Sequence, residues 1–263
     1  MSKDLKQKKL LITGGANGLG REIVYYFAPL LKETIFIDVK KNDGKSLEKK
    51  LIKNGCNVKF YSCDLSNLSN SQKLFDKIFI KHPNINFLIN NVRNKNNNSF
   101  KKENHNTWHK TLNIILNSSF LLIQKFINQK KNKNLRSIIN ITSILVDLID
   151  HKSPSYHVAK TGLSKLTEYY AVHAAKDYNF RINNISPGHL VQKRHLKKFN
   201  HKNNINFKKK YLSSVPLNQH MTEDDVISTI EFLFSKKSNY YNGETFHIDG
   251  AASLMTSTMF LKQ

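Results

Sequence analysis

The sequence predicts an α/β fold, a doubly wound parallel sheet of about seven strands with helices on both of its faces. Short apolar runs alternate with longer amphipathic segments along all 263 residues, which is typical of repeated βαβ units. A glycine-rich turn joins the first strand to the first helix, and the other connections are long enough for right-handed crossovers. Because no internal repeat or linker divides the chain, we expect residues 1–263 to form a single domain.

The strands are short runs that are rich in β-branched and aromatic residues. We expect them at residues 9–13, 34–38, 58–62, 87–90, 137–141, 181–185 and 245–248. The helices are the amphipathic segments, several of which end close to Pro or Gly. We expect them at residues 19–27, 45–53, 69–81, 107–129, 155–178 and 224–234.

Three segments interrupt this alternation, and each follows the carboxyl end of a strand. Residues 91–106 are rich in Asn and Lys and predict a loop, residues 144–154 connect a strand to a long helix, and residues 189–214 form a long, basic stretch of low complexity. Open α/β sheets bind ligands outside the carboxyl ends of their strands. We therefore expect these segments to border a ligand site.

The composition is that of a globular protein, with 39% hydrophobic and 10% aromatic residues. No apolar run reaches the roughly 18 residues that span a bilayer, and the basic N-terminus lacks the apolar stretch of a signal peptide. We therefore expect a soluble cytoplasmic protein. Cys56 and Cys63 flank one strand and the His residues are scattered, which predicts neither a disulfide framework nor a metal site.

The formal net charge of +23 invites a nucleic-acid interpretation. Lys, Asn and Ile are abundant throughout the chain, however, and the basic residues form no stripe interleaved with aromatic residues. We therefore do not expect nucleic acid to be the main partner. An acidic protein partner or an anionic substrate stays open.

The glycine-rich turn has the sequence T-G-G-A-N-G-L-G at residues 13–20. Its glycines permit a tight turn and a close approach of the backbone to a pyrophosphate, and the following helix offers unpaired N–H groups. The spacing is G-x-x-x-G-x-G, and an ordinary glycine-rich turn is the alternative. The residues that we expect to contact a dinucleotide here are Gly14, Asn17, Gly18, Leu19 and Gly20.

Asp38 ends the second strand, twenty residues after Gly18. A carboxylate at this position accepts hydrogen bonds from an adenosine ribose diol and repels a 2′-phosphate. No cation stands at Val39 or in the glycine turn, so we expect NAD rather than NADP, although Lys40 or Lys41 could swing towards a phosphate.

Two further strand ends carry candidate cofactor contacts. Asp64, followed by Leu65, ends the third strand and could accept a hydrogen bond from the adenine amino group; helix capping or turn formation is the alternative. Asn90 ends the fourth strand, where its side chain could bridge backbone groups beside the cofactor.

Tyr156 and Lys160 are four residues apart in a predicted helix, so their side chains lie on one face. A free phenol is a poor acid–base group at neutral pH, and a nearby ammonium lowers its pKa towards the working range. Such a pair also occurs by chance on exposed helix faces, and only its context favours catalysis.

These motifs, in this order, resemble the short-chain dehydrogenase/reductase family over nearly the whole chain. Besides the glycine turn, the matching pieces are C-D-L at 63–65, N-N at 90–91, Asn113, I-N-I-T-S at 139–143, Y-H-V-A-K at 156–160, N-I-S-P-G at 184–188 and the closing stretch at 242–250. The resemblance implies a Rossmann-like fold and a nicotinamide cofactor.

The resemblance also implies roles for individual residues. Tyr156 would be the general acid in ketone reduction and the base in alcohol oxidation, Lys160 would lower the pKa of Tyr156 and hold the nicotinamide ribose, and Ser143 would bind the substrate oxygen. Asn113 would anchor a water in a proton relay. The remaining expected cofactor contacts are Pro187, Gly188 and Leu190. The helices at 107–129 and 155–178 would form the interfaces of a homotetramer or homodimer.

Three positions depart from the family pattern. Val92 and Arg93 replace the small residues of N-N-A-G, Gln192 replaces a threonine that usually bonds to the cofactor, and Ala251 replaces a glycine near the C-terminus. No catalytic group is lost, so the departures concern the walls of the cofactor site.

The preferred hypothesis is an NAD(H)-dependent oxidoreductase that interconverts a small secondary alcohol and a ketone, with substrate identity set by residues 144–154 and 189–214. One alternative is a 3-oxoacyl-acyl-carrier-protein reductase that uses NADPH, since a basic surface would steer an acidic carrier protein. A second alternative is a non-catalytic binding protein on the same fold.

Overall fold

A computed structural model describes residues 5–94, 99–129 and 136–256 of the chain. Its centre is a sheet of seven strands in the order β3-β2-β1-β4-β5-β6-β7, and all neighbouring strands are parallel. The strands are β1 (Lys9–Thr13), β2 (Glu33–Asp38), β3 (Val58–Ser62), β4 (Phe87–Asn90), β5 (Ser137–Ile141), β6 (Arg181–Pro187) and β7 (Thr245–Ile248). The predicted sheet is confirmed, with five strands at the expected bounds.

Helices connect these strands and lie on both faces of the sheet. They are α1 (Gly18–Phe27), α2 (Lys41–Lys53), α3 (Leu68–Lys81), α4 (His105–Leu112), α5 (Ser118–Ile127), α6 (Pro154–His173), α7 (Ala175–Tyr178), α8 (Leu196–Phe199), α9 (Ile205–Ser213) and α10 (Glu223–Leu233). Within the described residues, no helix is both long and apolar enough to cross a lipid bilayer.

The two apolar cores follow from the alternation of side chains along each strand. Leu10 and Ile12 face the layer formed by α1, α2 and α10, where the rings of Phe87 and Phe234 stack with their centroids 3.9 Å apart. Leu11, on the opposite face of the same strand, belongs to the core that α3, α5 and α6 cover. The sheet is therefore doubly wound, as the sequence predicts.

The strand order reverses between β1 and β4, which are neighbours in the sheet although two strands separate them in the sequence. In such sheets, a crevice opens at the reversal, outside the carboxyl ends of the two strands. The turn after β1 and the segment after β4 border this crevice. The fold thus brings the glycine turn and residues 91–94 to one place.

The helix predicted at 107–129 is divided. A π-helical segment, Asn113–Asn117, separates α4 from α5. The hydroxyl groups of Ser118 and Ser119 donate to the carbonyl oxygens four residues earlier, and the side chain of Asn117 donates to Asn113 at 2.8 Å. Such local side-chain bonds compete with a regular helical ladder.

The segment 189–214 is largely helical, not a simple loop. It contains α8, α9 and short 3₁₀ turns. The reason is a small apolar cluster of Val191, Phe199 and Tyr211, which the surrounding lysines conceal in the sequence. The helix predicted at 155–178 likewise ends at His173, and the short α7 follows it.

Candidate active site

The glycine turn begins directly at the end of β1 and leads into the N-terminus of α1. Gly14 and Gly18 have φ angles of +68° and +54°, which glycine adopts without steric cost. A Cβ atom on Gly20 would overlap the carbonyl oxygen of Gly14, so no larger residue fits there without a shift of the backbone. The glycine backbone is thus packed tightly against the start of α1, whose first turn has unpaired N–H groups. Such N–H groups can bind a pyrophosphate that approaches the backbone closely.

Asn91 fixes the glycine turn to β4. Its side-chain Nδ2 donates to the carbonyl oxygens of Thr13 and Gly14, at 3.0 and 3.2 Å, and its backbone N–H donates to the Thr13 hydroxyl at 3.1 Å. From the sequence we expected this bridging role for Asn90. Asn90 instead points into the sheet, where its Nδ2 donates to Oδ1 of Asn140 at 2.7 Å. Adjacent strand residues face opposite sides, and this alternation explains the difference.

Asp38 lies at the end of β2 with both carboxylate oxygens directed to backbone amides. Oδ2 accepts from the N–H of Ala16 at 3.0 Å, and Oδ1 accepts from the N–H of Lys40 at 2.9 Å. The carboxylate is thereby held beside the glycine turn, and each oxygen keeps a second lone pair for a ligand.

Asp64 and Leu65 follow β3, on the far side of Asp38. Oδ1 of Asp64 accepts from the N–H of Ser66 at 2.9 Å, and this hydrogen bond is the main cause that lowers the pKa of the carboxyl group. Leu65 is buried in the core on the α3 side. Asp64 therefore shapes a turn at the rim of the crevice, which is the structural alternative that the sequence analysis left open.

Ser143, Tyr156 and Lys160 come together at the carboxyl end of β5. The Ser143 side chain lies close enough to the Tyr156 phenol to lower its pKa. The Nζ atom of Lys160 lies 5.9 Å from the centroid of the Tyr156 ring and donates to the carbonyl oxygen of Ile141 at 2.6 Å. Ser143 and Lys160 are only 8% and 2% exposed, so the phenol is held between largely desolvated polar groups.

The pKa values in this cluster differ from the sequence expectation. Burial raises the pKa of the Tyr156 phenol, while the hydrogen bond with Ser143 and the charge of Arg93 oppose this rise. Burial, followed by the charges of Arg93 and Lys152, lowers the pKa of Lys160 to about 7. The expected lowering of the Tyr156 pKa by Lys160 is therefore not seen in the chain alone, because desolvation outweighs the charges and the ammonium is committed to Ile141.

Asn113 lies at the start of the π-helical segment. Its Nδ2 donates to the carbonyl oxygen of Ser66 at 3.1 Å, and its Oδ1 accepts from Asn117. Its side chain thus joins the helix to the turn after β3, and its role in a proton relay stays a prediction.

The end of β6 closes the other side of the crevice. Gly188, which follows Pro187, donates its N–H to Ile248 at 2.8 Å, and Leu190 pairs with Met221 in an isolated bridge. A Cβ atom built on Gly18 would lie 3.1 Å from Nε2 of Gln192. The segment after β6 therefore reaches across to the glycine turn.

Glu103 is a contact that the sequence analysis missed. Its carboxylate accepts from the backbone N–H of Ser155 at 3.2 Å and from the Ser155 hydroxyl at 2.9 and 3.0 Å. It also accepts from the hydroxyl of Thr107 at 3.1 Å. A negative charge at the first turn of α6 stabilises the helix that presents Tyr156. No sequence signal joins two residues so far apart.

The residues around the crevice fit a nicotinamide dinucleotide. The glycine turn forms a cradle that a side chain would fill, and Asp38 offers acceptors beside it. Lys160 lies at the carboxyl end of β5, on the same edge of the sheet. In the described part of the chain, Oε1 of Gln192 is buried without a hydrogen-bond partner, which a ligand in the crevice would supply.

Comparison with known proteins agrees with this geometry. A family model described as enoyl-(acyl carrier protein) reductase matches residues 14–253. The 3-oxoacyl-(acyl-carrier-protein) reductase FabG of Chlamydia pneumoniae is 27% identical over 250 residues, which cover 95% of this chain and 98% of that protein. The probable galactose dehydrogenase GalD of Rhizobium meliloti is 26% identical over 248 residues, with coverage of 94% and 95%.

Among solved structures, the fold is shared with a gluconate 5-dehydrogenase from Burkholderia cenocepacia, which was crystallised in complex with NADP and tartrate. The TM-score is 0.81 at 19% sequence identity, and the match covers 97% of this chain and 99% of that one.

Proposed function

The chain belongs to the short-chain dehydrogenase/reductase family, and from this premise we propose that it interconverts a secondary alcohol and a ketone with Tyr156 as the proton-exchanging group. The observation that carries this proposal is the meeting of Ser143, Tyr156 and Lys160 beside the crevice. Val92 connects the glycine turn to this group of side chains. Its N–H donates to the hydroxyl of Thr13, and its side chain packs in the cluster that contains Tyr156.

The residues divide the proton chemistry among them. A bound nicotinamide would exchange a hydride with the substrate carbon. In ketone reduction, the Ser143 hydroxyl donates a hydrogen bond to the substrate oxygen, and Tyr156 gives that oxygen its phenolic proton. In alcohol oxidation, Tyr156 takes the proton back. Lys160 would hold the ribose hydroxyls of the cofactor, and its protonated form would supply a positive charge near the phenol.

The cofactor that we propose is NAD(H). Asp38 supports this choice, because a fixed carboxylate beside the glycine turn attracts a ribose diol and repels a 2′-phosphate. NADP is the alternative, since a cavity at the same turn is lined by Arg21, Lys50 and Arg194. These three cations would receive the phosphate if NADPH were preferred.

A second candidate function is reduction of 3-oxoacyl groups on an acyl carrier protein. The names of several relatives favour it, including the FabG proteins of Chlamydia pneumoniae and of Buchnera aphidicola. The net charge of +23 would attract an acidic carrier. Turnover of an acetoacetyl thioester with NADPH, and not with NADH, would favour this function over the first.

We further propose that residues 189–214 form the substrate-binding part of a single domain and that the protein is a homo-oligomer. Val158, Tyr169 and Val172 lie on one face of α6 and are exposed, which suits a helix packed against a second copy. Light scattering during gel filtration tests this point. The cytoplasmic location stays a prediction.

The decisive experiment combines cofactor binding with turnover. We expect the binding of NADH to the wild type to quench or shift the fluorescence signal. Asp38→Ala should weaken the binding of NADH more than the binding of NADPH. A panel of ketones should be reduced by the wild type, while Tyr156→Phe should bind NADH normally and lose at least about a hundredfold in kcat. Normal turnover by Tyr156→Phe would refute the role of the phenol.

A further inference from the structure

The charge of the Arg93 guanidinium acts on the Tyr156 phenol, although the proposed proton chemistry does not use it. It follows Val92, whose side chain packs in the cluster that contains Ala159, Leu163 and Tyr156. Arg93 itself is exposed, and within the described residues its guanidinium has no hydrogen bond or ion pair. Among the residues that the structure describes, its five N–H donors are therefore open to a ligand.

Lys152 adds a second cation near the same phenol. Its Nζ lies 5.1 Å from the centroid of the Tyr156 ring and 3.6 Å from Oδ2 of Asp150. Asp150 also faces His157, with its Oδ1 3.5 Å from the ring Nε2. Because Lys152 is about 39% exposed and shares one carboxylate with a histidine, its charge is only partly compensated.

Arg93, Lys152 and Lys160 form a positive cluster around Tyr156. The first two both act on Lys160, since their charges join burial in lowering its pKa to about 7. These three cations face one nearby carboxylate, that of Asp150, so positive charge is in excess and creates a positive potential in the cleft. An oxyanion that entered this cluster would relieve the repulsion and would favour the protonated form of Lys160.

Building on the proposed function, we propose that the substrate of this site is an anionic ketone or alcohol whose carboxylate is bound by Arg93 and Lys152 while its carbonyl faces Ser143 and Tyr156. The planar guanidinium can hold a carboxylate through two parallel hydrogen bonds, and Lys152 supplies a second point charge. The geometry thus points to an oxo acid and hydroxy acid pair as the substrate class.

A matched pair of probes tests this inference. Acetoacetate and acetoacetamide have nearly the same shape, and only acetoacetate carries a negative charge. We expect the wild type to reduce acetoacetate with a kcat/KM about 10- to 100-fold higher, the range given by one or two charge-assisted hydrogen bonds. Arg93→Gln and Lys152→Gln should each remove most of this preference. The preference is read as the ratio of the two kcat/KM values, so an effect of the lost charge on Tyr156 or Lys160 is shared by both probes and cancels.

Lys49→Gln is the control, because Lys49 is an exposed lysine of α2 and should keep the full preference. NADH affinity, measured for each variant, separates a substrate contact from a contact with the cofactor phosphates. Equal kcat/KM values for the two probes in the wild type would overturn the inference and leave the proposed function intact. The inference would also be overturned if Arg93→Gln weakened the binding of NADH and lowered kcat/KM equally for the two probes.

A failure of the proposed function has a different signature. If neither probe is turned over, calorimetric titration of both probes into the wild type and Arg93→Gln still reports on the anion site. Acetoacetate that binds the wild type at least about tenfold more tightly than acetoacetamide, with the difference lost in Arg93→Gln, would support the inference. No difference between the probes would overturn it.

Discussion

The buried ammonium of Lys160 makes the stability of the folded chain depend on pH, and Lys160→Met removes that dependence. The side chain is 2% exposed, and its pKa falls from 10.5 to about 7 on folding, mainly through burial. Between these two values the unfolded chain binds more protons than the folded chain. The free energy of unfolding therefore rises as pH rises from about 7 towards 10.5, and this gain is lost as pH falls back to about 7.

The size of this effect follows from the two pKa values. The difference between 10.5 and about 7 corresponds to about 5 kcal/mol over the whole range of titration. Only part of this range is accessible to a clean measurement, because the phenol groups begin to titrate above about pH 9. From pH 7 to pH 9 the expected increase is about 2 kcal/mol.

The assay is denaturation by urea or guanidinium chloride at pH 7, 8 and 9 without added nucleotide. We expect the free energy of unfolding of the wild type, minus that of Lys160→Met, to increase by about 2 kcal/mol over this range. Cys63, whose pKa is raised by burial, titrates in both proteins and cancels in the difference.

Lys49→Met, which changes an exposed lysine of α2, serves as the matched control and should show a constant difference from the wild type. A difference between wild type and Lys160→Met that stays constant with pH would refute the reasoning. It would mean that Lys160 holds its proton equally well in the folded and unfolded chains.

Three further substitutions test contacts around the site. Glu103→Gln leaves a single acceptor oxygen for the donors of Ser155, and we expect a loss of about 1–2 kcal/mol in the free energy of unfolding, together with a lower kcat. Gly20→Ala forces a Cβ against a backbone carbonyl oxygen, so NADH affinity should fall at least about tenfold in a fluorescence titration. Phe234→Ala removes a ring that is stacked on Phe87, and denaturation should show that the free energy of unfolding falls by about 3–5 kcal/mol.

Glu103→Gln and Gly20→Ala each have a matched control. A Cβ atom on Gly55 would have no atom within 4 Å, but the residue has a φ of +78°. Gly55→Ala should therefore lower the free energy of unfolding by about 1–2 kcal/mol and leave NADH affinity unchanged. Glu168→Gln changes an exposed carboxylate on α6 and should leave both stability and kcat near the wild-type values. Normal NADH affinity in Gly20→Ala would contradict the close packing of the glycine turn.

The sequence alone predicted the sheet well because parallel strands are buried on both faces. Strands such as 87–90 and 137–141 are short, mostly apolar and fully buried, and they occur at the predicted bounds. The helices of segment 189–214 were not predicted, because the apolar residues that form its core, such as Phe199 and Tyr211, are dispersed among lysines. Their contacts form only in three dimensions.

The same division holds for the candidate site. The glycine turn lies within eight residues, and Tyr156 and Lys160 lie four apart, so local geometry was enough to bring their groups together. The bond between Glu103 and Ser155 joins residues 52 apart, and it arises because the fold sets the N-terminus of α6 beside that of α4.

The pKa values of the site residues depend on the tertiary structure. The sequence could state that an ammonium stands one turn from a phenol, but the direction of each pKa depends on how much water the fold removes. Burial lowers the pKa of Lys160 and raises that of Tyr156, and the fold adds the charge of Arg93 from another strand end. The sequence thus determined which groups are present at the site, and the tertiary packing determined their charges, since desolvation and distant neighbours exist only in the folded chain.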